Sequence, residues 1–254
     1  MPEVADLPDH APVTITGNSH VIALARAERP AALTQALGEV LVYPWGNGRH
    51  ESEVFTRREG DGVALTVPQY ATATERHTGH PHLRPDRHWV VLGPGHAART
   101  FRDPTWRTHA PAALRLPGVE PVSDGLLTAL LERDQRGLRA LYRDALAAGL
   151  QVVALSAPPP RRDHRAITDG TPAAVVAHLD TTAYRLWERW LAAEGVPLVP
   201  RPAGTADDEG FLLPELAART TPRGTPDHHH ANEAYGALAL AELARTIGGA
   251  APLG

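Results

Sequence analysis

Apolar and polar positions along the chain predict short buried strands separated by amphipathic helices. The run Val13–Thr16 has the alternation of a buried strand, and Val40–Tyr43 and Trp89–Leu92 repeat the signal. A helix is predicted from about Ser19, with a restart at Pro30 because proline suits a first helical turn. Strands that alternate with helices favour a parallel sheet covered on both faces.

The second half of the chain continues this alternation with longer helices. One long helix is predicted after a cap at Ser123, with Leu127 and Leu141 on its apolar side. The last helix is predicted to direct Leu238 towards the core. The other predicted elements are a possible strand at 62–67, strand 151–155, helix 173–194, strand 196–199 and last helix 231–247.

Two proline-containing polar stretches interrupt the pattern, at residues 70–88 and 201–226. Both are predicted to be long loops, the first a flap over a binding site. A chain of 254 residues that is 43% hydrophobic is long enough for one large α/β domain. Residues 1–254 are therefore predicted to form a single domain.

Composition excludes several classes of function. The net charge is −4, all 25 basic residues are arginine, and no basic face is evident, so nucleic acid is not expected as a partner. The absence of cysteine excludes disulfides and thiolate metal sites. No apolar run reaches the roughly 20 residues of a membrane span, and residues 1–12 lack a secretory pattern. A cytoplasmic location is the expectation.

Candidate chemistry lies in the loops that follow the strands, where open parallel sheets form their sites. Ser19, in the turn Gly17-Asn18-Ser19-His20, is either a helix cap or a nucleophile. A serine nucleophile needs a histidine base whose tautomer is fixed by an acceptor. Asp227 and His230, three residues apart before the last helix, supply both, although Asp227 is also a candidate helix cap.

Two motifs together resemble those of the SGNH hydrolases, also called GDSL-type esterases and lipases. Gly17-Asn18-Ser19 resembles the family's nucleophile turn, and Asp227-x-x-His230 resembles its acid and base motif near the C-terminus. The wider segment DHHHANEAYG, with Asn232, Tyr235 and Gly236, resembles a bacterial branch of the family. The likeness covers nearly the whole chain, from residue 13 to about 245.

The resemblance implies a three-layer α/β/α sandwich with a central, mostly parallel five-stranded sheet. It also implies that Ser19, His230 and Asp227 lie within hydrogen-bond reach of one another as a catalytic triad. The oxyanion hole would use the Ser19 N–H and that of Gly48 or Gly46. At the third oxyanion position this chain has Gly93-Pro94-Gly95-His96 and no asparagine, so Gly95 or His96 would substitute.

The function implied is hydrolysis of a carboxylic ester of a small molecule or carbohydrate through an acyl-enzyme. Two alternatives stay open: acyl transfer on the same scaffold, and a binding domain that has lost activity with the missing asparagine. No cofactor is implied. The histidines 77, 80 and 82 are spaced for a metal, but no carboxylate is regularly placed beside them, so no metal site is predicted. The sequence leaves the oligomeric state open.

Overall fold

A five-stranded sheet lies at the centre of the computed structural model, which describes residues 13–29, 31–38, 40–85, 89–95, 100–221 and 223–249. The strands of these residues are β1 (Val13–Gly17), β2 (Val40–Pro44), β3 (Thr56–Glu59), β4 (Gly62–Leu65), β5 (His82–Leu83), β6 (Trp89–Gly95), β7 (His109–Pro111), β8 (Glu120–Val122), β9 (Val152–Ser156) and β10 (Leu198–Val199). The central sheet has the order β10-β9-β6-β1-β2, and each neighbouring pair is parallel. The predicted α/β fold is confirmed. The small sheets β3-β4-β5 and β7-β8 were not predicted.

Helices cover both faces of the central sheet. In the described residues they are α1 (Val21–Arg26), α2 (Ala31–Leu37), α3 (Pro68–Thr78), α4 (Asp124–Asp134), α5 (Arg136–Ala147), α6 (Arg165–Thr168), α7 (Ala173–Ala193) and α8 (Glu233–Gly249). Along β9, Val153 and Leu155 pack with side chains of α1, α2 and α8. The alternate residues Val152 and Ala154 pack with α5 and α7 on the opposite face. No helix of the described residues is both long and apolar enough to cross a membrane.

The prediction of a loop over residues 70–88 was wrong, because α3 begins at Pro68 and the short strand β5 follows it; residues 86–88 of this range lie outside the described residues. The prolines flank this helix and do not interrupt it: Pro68 occupies its first turn, and Pro81 comes after Gly79, which ends it in a left-handed conformation. Tyr70 is fully buried against the rings of Trp45 and Phe55. This aromatic packing stabilises the helix, although its largely polar sequence does not show an apolar face. Residues 201–226 are mostly loop, as predicted, with one 3-10 turn at Pro214–Leu216.

The single long helix predicted after Ser123 is two helices. Ser123 does cap α4, accepting a hydrogen bond from the N–H of Leu126 at 3.3 Å, but α4 ends near the buried Gln135. Leu127 of α4 and Leu141 of α5 are buried in different clusters. The core position predicted for Leu238 was also wrong, since this side chain is 42% exposed.

Gly17 is required by strand contact and not by a left-handed turn. It pairs with Gly93 of β6, and its φ is not positive. A β-carbon built on Gly17 would lie 1.4 Å from the carbonyl oxygen of Gly93, and one built on Gly93 would lie 2.7 Å from the Leu155 side chain. The end of β1 therefore approaches its neighbour more closely than any side chain permits.

Gly236 lets α8 contact the backbone of α1. A β-carbon at Gly236 would lie 2.2 Å from the carbonyl oxygen of Ala23 and 3.0 Å from the backbone nitrogen of Leu24. Backbone atoms cannot move aside as a flexible side chain can. The glycine therefore fixes the distance between the beginnings of two helices that are far apart in the chain.

Gly236→Ala is expected to destabilise the fold by about 1–3 kcal/mol, because its methyl group must separate α8 from α1. Urea unfolding of the variant measures this. Gly125→Ala in α4 is the matched control, because a β-carbon there meets nothing within 4 Å. The control is expected to be neutral or slightly stabilising. Equal stability of the two variants would contradict close helix contact at Gly236.

Candidate active site

Ser19 lies in the turn between β1 and α1, and its side chain faces His230, which precedes the last helix. Its Oγ is 2.8 Å from Nε2 of His230. The turn is held by Asn18, whose Oδ1 accepts a hydrogen bond from the N–H of His20 at 3.1 Å. The residue at the cap position of α1 is His20, and no side chain caps that helix. Ser19 is therefore not a helix cap, the first of the two roles that the sequence left open.

Asp227 fixes the orientation of His230. Its Oδ2 lies 2.9 Å from Nδ1 of His230, and its Oδ1 accepts the N–H groups of His229 and His230 at 2.8 and 2.9 Å. An ionised carboxylate only accepts, so Nδ1 of His230 carries the proton. The lone pair on Nε2 then accepts the hydroxyl proton of Ser19. The three side chains form one hydrogen-bonded row, within the hydrogen-bond reach expected from the sequence.

The Asp227 carboxylate is buried, with only 5% of the residue exposed. Burial alone would raise its pKa. The hydrogen bonds from the His230 ring and from the backbone N–H groups of His230 and His229 outweigh that effect and hold the pKa well below its ordinary value. Asp227 is therefore ionised at neutral pH, as an acceptor for the imidazole must be.

The cap of α8 is Asn232, and not Asp227. The Oδ1 of Asn232 accepts the N–H groups of Ala234 and Tyr235 at 3.0 and 3.1 Å, and its Nδ2 donates to the carbonyl of Glu215 at 2.7 Å. The residues that follow His230 in the DHHHANEAYG segment thus have structural roles. Asn232 begins the helix, and Gly236 brings it against α1.

Arg161 holds the segment that carries His230, a role that the sequence did not reveal. This nearly buried side chain donates to the carbonyls of Ala218 and His230 at 2.5 and 3.3 Å. It also makes a bidentate pair with Asp163 at 2.8 Å, and Asp163 accepts from Nδ1 of His228 at 3.0 Å. In the sequence, Arg161 is marked only by its position directly after the three prolines that follow β9.

The second loop brings Gly48 beside the serine turn. Gly48 begins a 3-10 turn after β2, and a β-carbon on it would lie 3.6 Å from Nδ2 of Asn18 and 2.9 Å from Oε2 of Glu51. Glu51 is 4% exposed and accepts a hydrogen bond from Nδ2 of Asn18 at 3.1 Å. This buried carboxylate, which no sequence motif indicated, joins the two loops. Gly46 packs instead against the ring of Tyr70.

The third loop follows β6, which pairs with β1. The register of β6 against β9 shifts between Leu92 and Gly95, and Gly95 lies opposite Ser156. Such a bulge redirects the chain at the end of a strand. His96, the other candidate oxyanion donor, lies outside the described residues, so its predicted role stays a prediction.

The histidines of the DHHHANEAYG segment differ in their surroundings. The side chain of His228 is 53% exposed. His229 packs against the rings of His20, His164 and His230 at centroid distances of 4.5, 5.3 and 4.7 Å, and burial lowers its pKa well below the ordinary value. His229 therefore stays neutral, with its ring packed against three other imidazoles.

A cavity of about 470 Å³ borders Asp227 and His230. Its lining includes Arg26, Arg219 and Glu233, so several charged groups surround it. Ser19 is not part of the lining. The cavity thus reaches the base and its acidic partner without defining where an acyl group would lie.

Solved structures share the fold of this chain at low sequence identity. A Bacteroides fragilis protein named as an acylhydrolase aligns with a TM-score of 0.52 and 11% identity, over 97% of this chain and 92% of that one. A Slackia heliotrinireducens protein named as an SGNH hydrolase aligns with a TM-score of 0.51 and 19% identity, over 94% and 99%. No protein-family model and no curated protein matches the chain. At these identities the likeness shows a shared fold.

Asp227→Asn is expected to make stability less sensitive to acid. Because the folded pKa of Asp227 is depressed, its ionised form stabilises the fold above about pH 4, and that contribution is lost as the pH falls further. Asparagine cannot ionise, so the variant has no such contribution to lose as the pH falls. Urea unfolding at a series of acidic pH values compares the chains, with Asp208→Asn at an exposed position as control. Equal acid sensitivity of Asp227→Asn and the natural chain would contradict the depressed pKa.

Proposed function

We propose that this chain, which has the fold of the SGNH hydrolases, hydrolyses a carboxylic ester through an acyl-enzyme formed on Ser19. The observation that carries the proposal is the row in which Ser19 Oγ lies 2.8 Å from Nε2 of His230 while Asp227 accepts from Nδ1 at 2.9 Å. A hydroxyl becomes a competent nucleophile when a base with a fixed tautomer accepts its proton. His230, held by Asp227, is such a base for Ser19.

The acylation step uses all three side chains. Ser19 Oγ attacks the ester carbonyl as His230 Nε2 takes the hydroxyl proton, and Asp227 stabilises the resulting imidazolium. When the tetrahedral intermediate collapses, the bond to the alcohol breaks and His230 returns the proton to the leaving oxygen. In the second step, water gives a proton to His230 and attacks the acyl-serine. When this intermediate collapses, the bond to Ser19 Oγ breaks, His230 returns the proton to that oxygen, and the acid is released.

The oxyanion that forms on the carbonyl requires preorganised donors. The N–H groups of Ser19 and Gly48 are the proposed donors. The position of Gly48 beside Asn18 supports this choice, and the packing of Gly46 against Tyr70 makes it the weaker candidate. Glu51 contributes indirectly, because its bond to Asn18 ties the two donor loops together.

A polar ester is the substrate class that the surroundings of the triad favour. Charged side chains, including Arg26 and Arg219, line the cavity beside His230 and suit the alcohol part of a small molecule or carbohydrate better than a long acyl chain.

Labelling with a fluorophosphonate tests the nucleophile. The probe is expected to add to the peptide that carries Ser19, as detected by mass. Ser19→Ala is expected to abolish both labelling and hydrolysis of p-nitrophenyl acetate, with little change in melting temperature. His230→Gln should lower the rate by several orders of magnitude. His228→Gln, at an exposed position two residues away, should retain activity. Labelling at another serine, or full activity of Ser19→Ala, would overturn the proposal.

Substitution of Gly48 tests the oxyanion donor with a matched pair. Gly48 is the first residue of its 3-10 turn and follows Asn47 in an extended conformation, which is where proline fits. Gly48→Pro therefore removes the N–H while preserving the turn, and the rate constant kcat is expected to fall roughly 10²–10³-fold. Gly48→Ala adds the same β-carbon near Glu51 but keeps the N–H. Equal loss in both variants would show that crowding, and not the donor, matters.

A further inference from the structure

Four histidine rings pack together beside Ser19, and the proposed reaction uses only one of them. His20 lies 4.5 Å from His229 and 5.0 Å from His230 between ring centroids, and His229 lies 4.7 Å from His230 and 5.3 Å from His164. His20 is 7% exposed, directly after the proposed nucleophile. His164 has a structural role, because its Nδ1 accepts the N–H of Ala166 and caps α6.

Three of these histidines have the geometry of a metal-binding group. One ring nitrogen from each of His20, His229 and His230 lies within 4.8 Å of the others. Imidazole nitrogens bound to one zinc ion at about 2.0–2.1 Å are about 3.4 Å apart in a tetrahedral site. The nitrogens therefore need to approach by about 1.4 Å at most, which is within the reach of side-chain rotation.

His230 is already oriented as a metal ligand would be. Metal-binding imidazoles commonly donate their other ring N–H to a carboxylate, which directs the remaining lone pair at the ion. Asp227 receives Nδ1 of His230 at 2.9 Å, and the Nε2 lone pair faces Ser19 Oγ at 2.8 Å. The interaction that prepares the base for the serine proton equally prepares it for a cation.

We propose that His20, His229 and His230 form a binding site for a divalent transition-metal ion of the zinc class, and that occupancy reversibly inhibits the enzyme. Neutral imidazoles suit Zn²⁺, Cu²⁺ and Ni²⁺, whereas Mg²⁺ and Ca²⁺ require oxygen ligands. An ion on Nε2 of His230 takes the lone pair that would accept the Ser19 proton, so metal binding and catalysis exclude each other.

The binding test does not depend on catalysis. Ser19→Ala protein, freed of metal by chelator and dialysis, is titrated with Zn²⁺ in a calorimeter. One strong site per chain is expected, with no binding of Mg²⁺. His20→Gln and His229→Gln, each added to Ser19→Ala, should raise the dissociation constant at least about tenfold. His228→Gln should leave it unchanged, because that exposed ring bonds to Asp163. Binding that is absent, or that survives both ligand variants, overturns the proposal.

The inhibition test rests on the proposed ester hydrolysis. Zn²⁺ is expected to suppress p-nitrophenyl acetate hydrolysis by the natural chain, and EDTA should restore it. A higher Zn²⁺ concentration should be needed for inhibition of His229→Gln, relative to its own zinc-free rate, than of His228→Gln. Zinc that binds the three histidines while the rate is unaffected would overturn the inhibitory role. Histidine-dependent binding in a chain with no zinc-free hydrolysis would support the metal site while overturning the proposed function.

Discussion

The contact between α1 and α8 is the constraint on which the candidate site depends. Ser19 precedes α1 and His230 precedes α8, and 211 positions separate them in the chain. Their hydrogen bond forms only where the helix beginnings are held at a fixed distance, and the backbone contact at Gly236 fixes that distance. The close approach of Gly17 to Gly93 fixes the end of β1, the strand that leads into the Ser19 turn. Backbone contacts of this kind leave little room for adjustment, which is what a site of this geometry requires.

Buried polar groups then hold each part of the site in place. Asp227 is ionised and hydrogen-bonded by its own segment, and Arg161 binds the carbonyl of His230 from the loop after β9. Glu51 binds Asn18 from the loop after β2. Buried polar groups of this kind are costly unless they are paired, so each pairing selects one arrangement of the loops. In this arrangement of the loops, ring nitrogens of His20 and His229 lie close to one of His230, and the inferred metal site is based on that proximity.

Several features could be predicted because they depend on residues close together in the sequence. The pattern of apolar and polar positions predicted β1, β2, β9 and α7, since such a pattern reflects local geometry. The Asp227-x-x-His230 spacing permits a contact within one segment, and that contact forms. The turn after β1 could be recognised as a candidate nucleophile turn for the same reason, although its partner could be inferred only through resemblance.

The amino-acid sequence by itself determined the α/β alternation and which side chains are candidates for the reacting groups. The tertiary structure decided that α3 is a helix, because Tyr70 finds its apolar partners in another part of the chain. It also decided that Leu238 is exposed and that two helices follow Ser123. The helical period of apolar residues predicts which residues share one face of a helix, but not whether that face packs against the core or lies in solvent. The roles of Glu51 and Arg161 and the meeting of His20 with His229 depend on residues distant in sequence. Only the folded chain brings such residues together, and burial then sets their protonation and their partners.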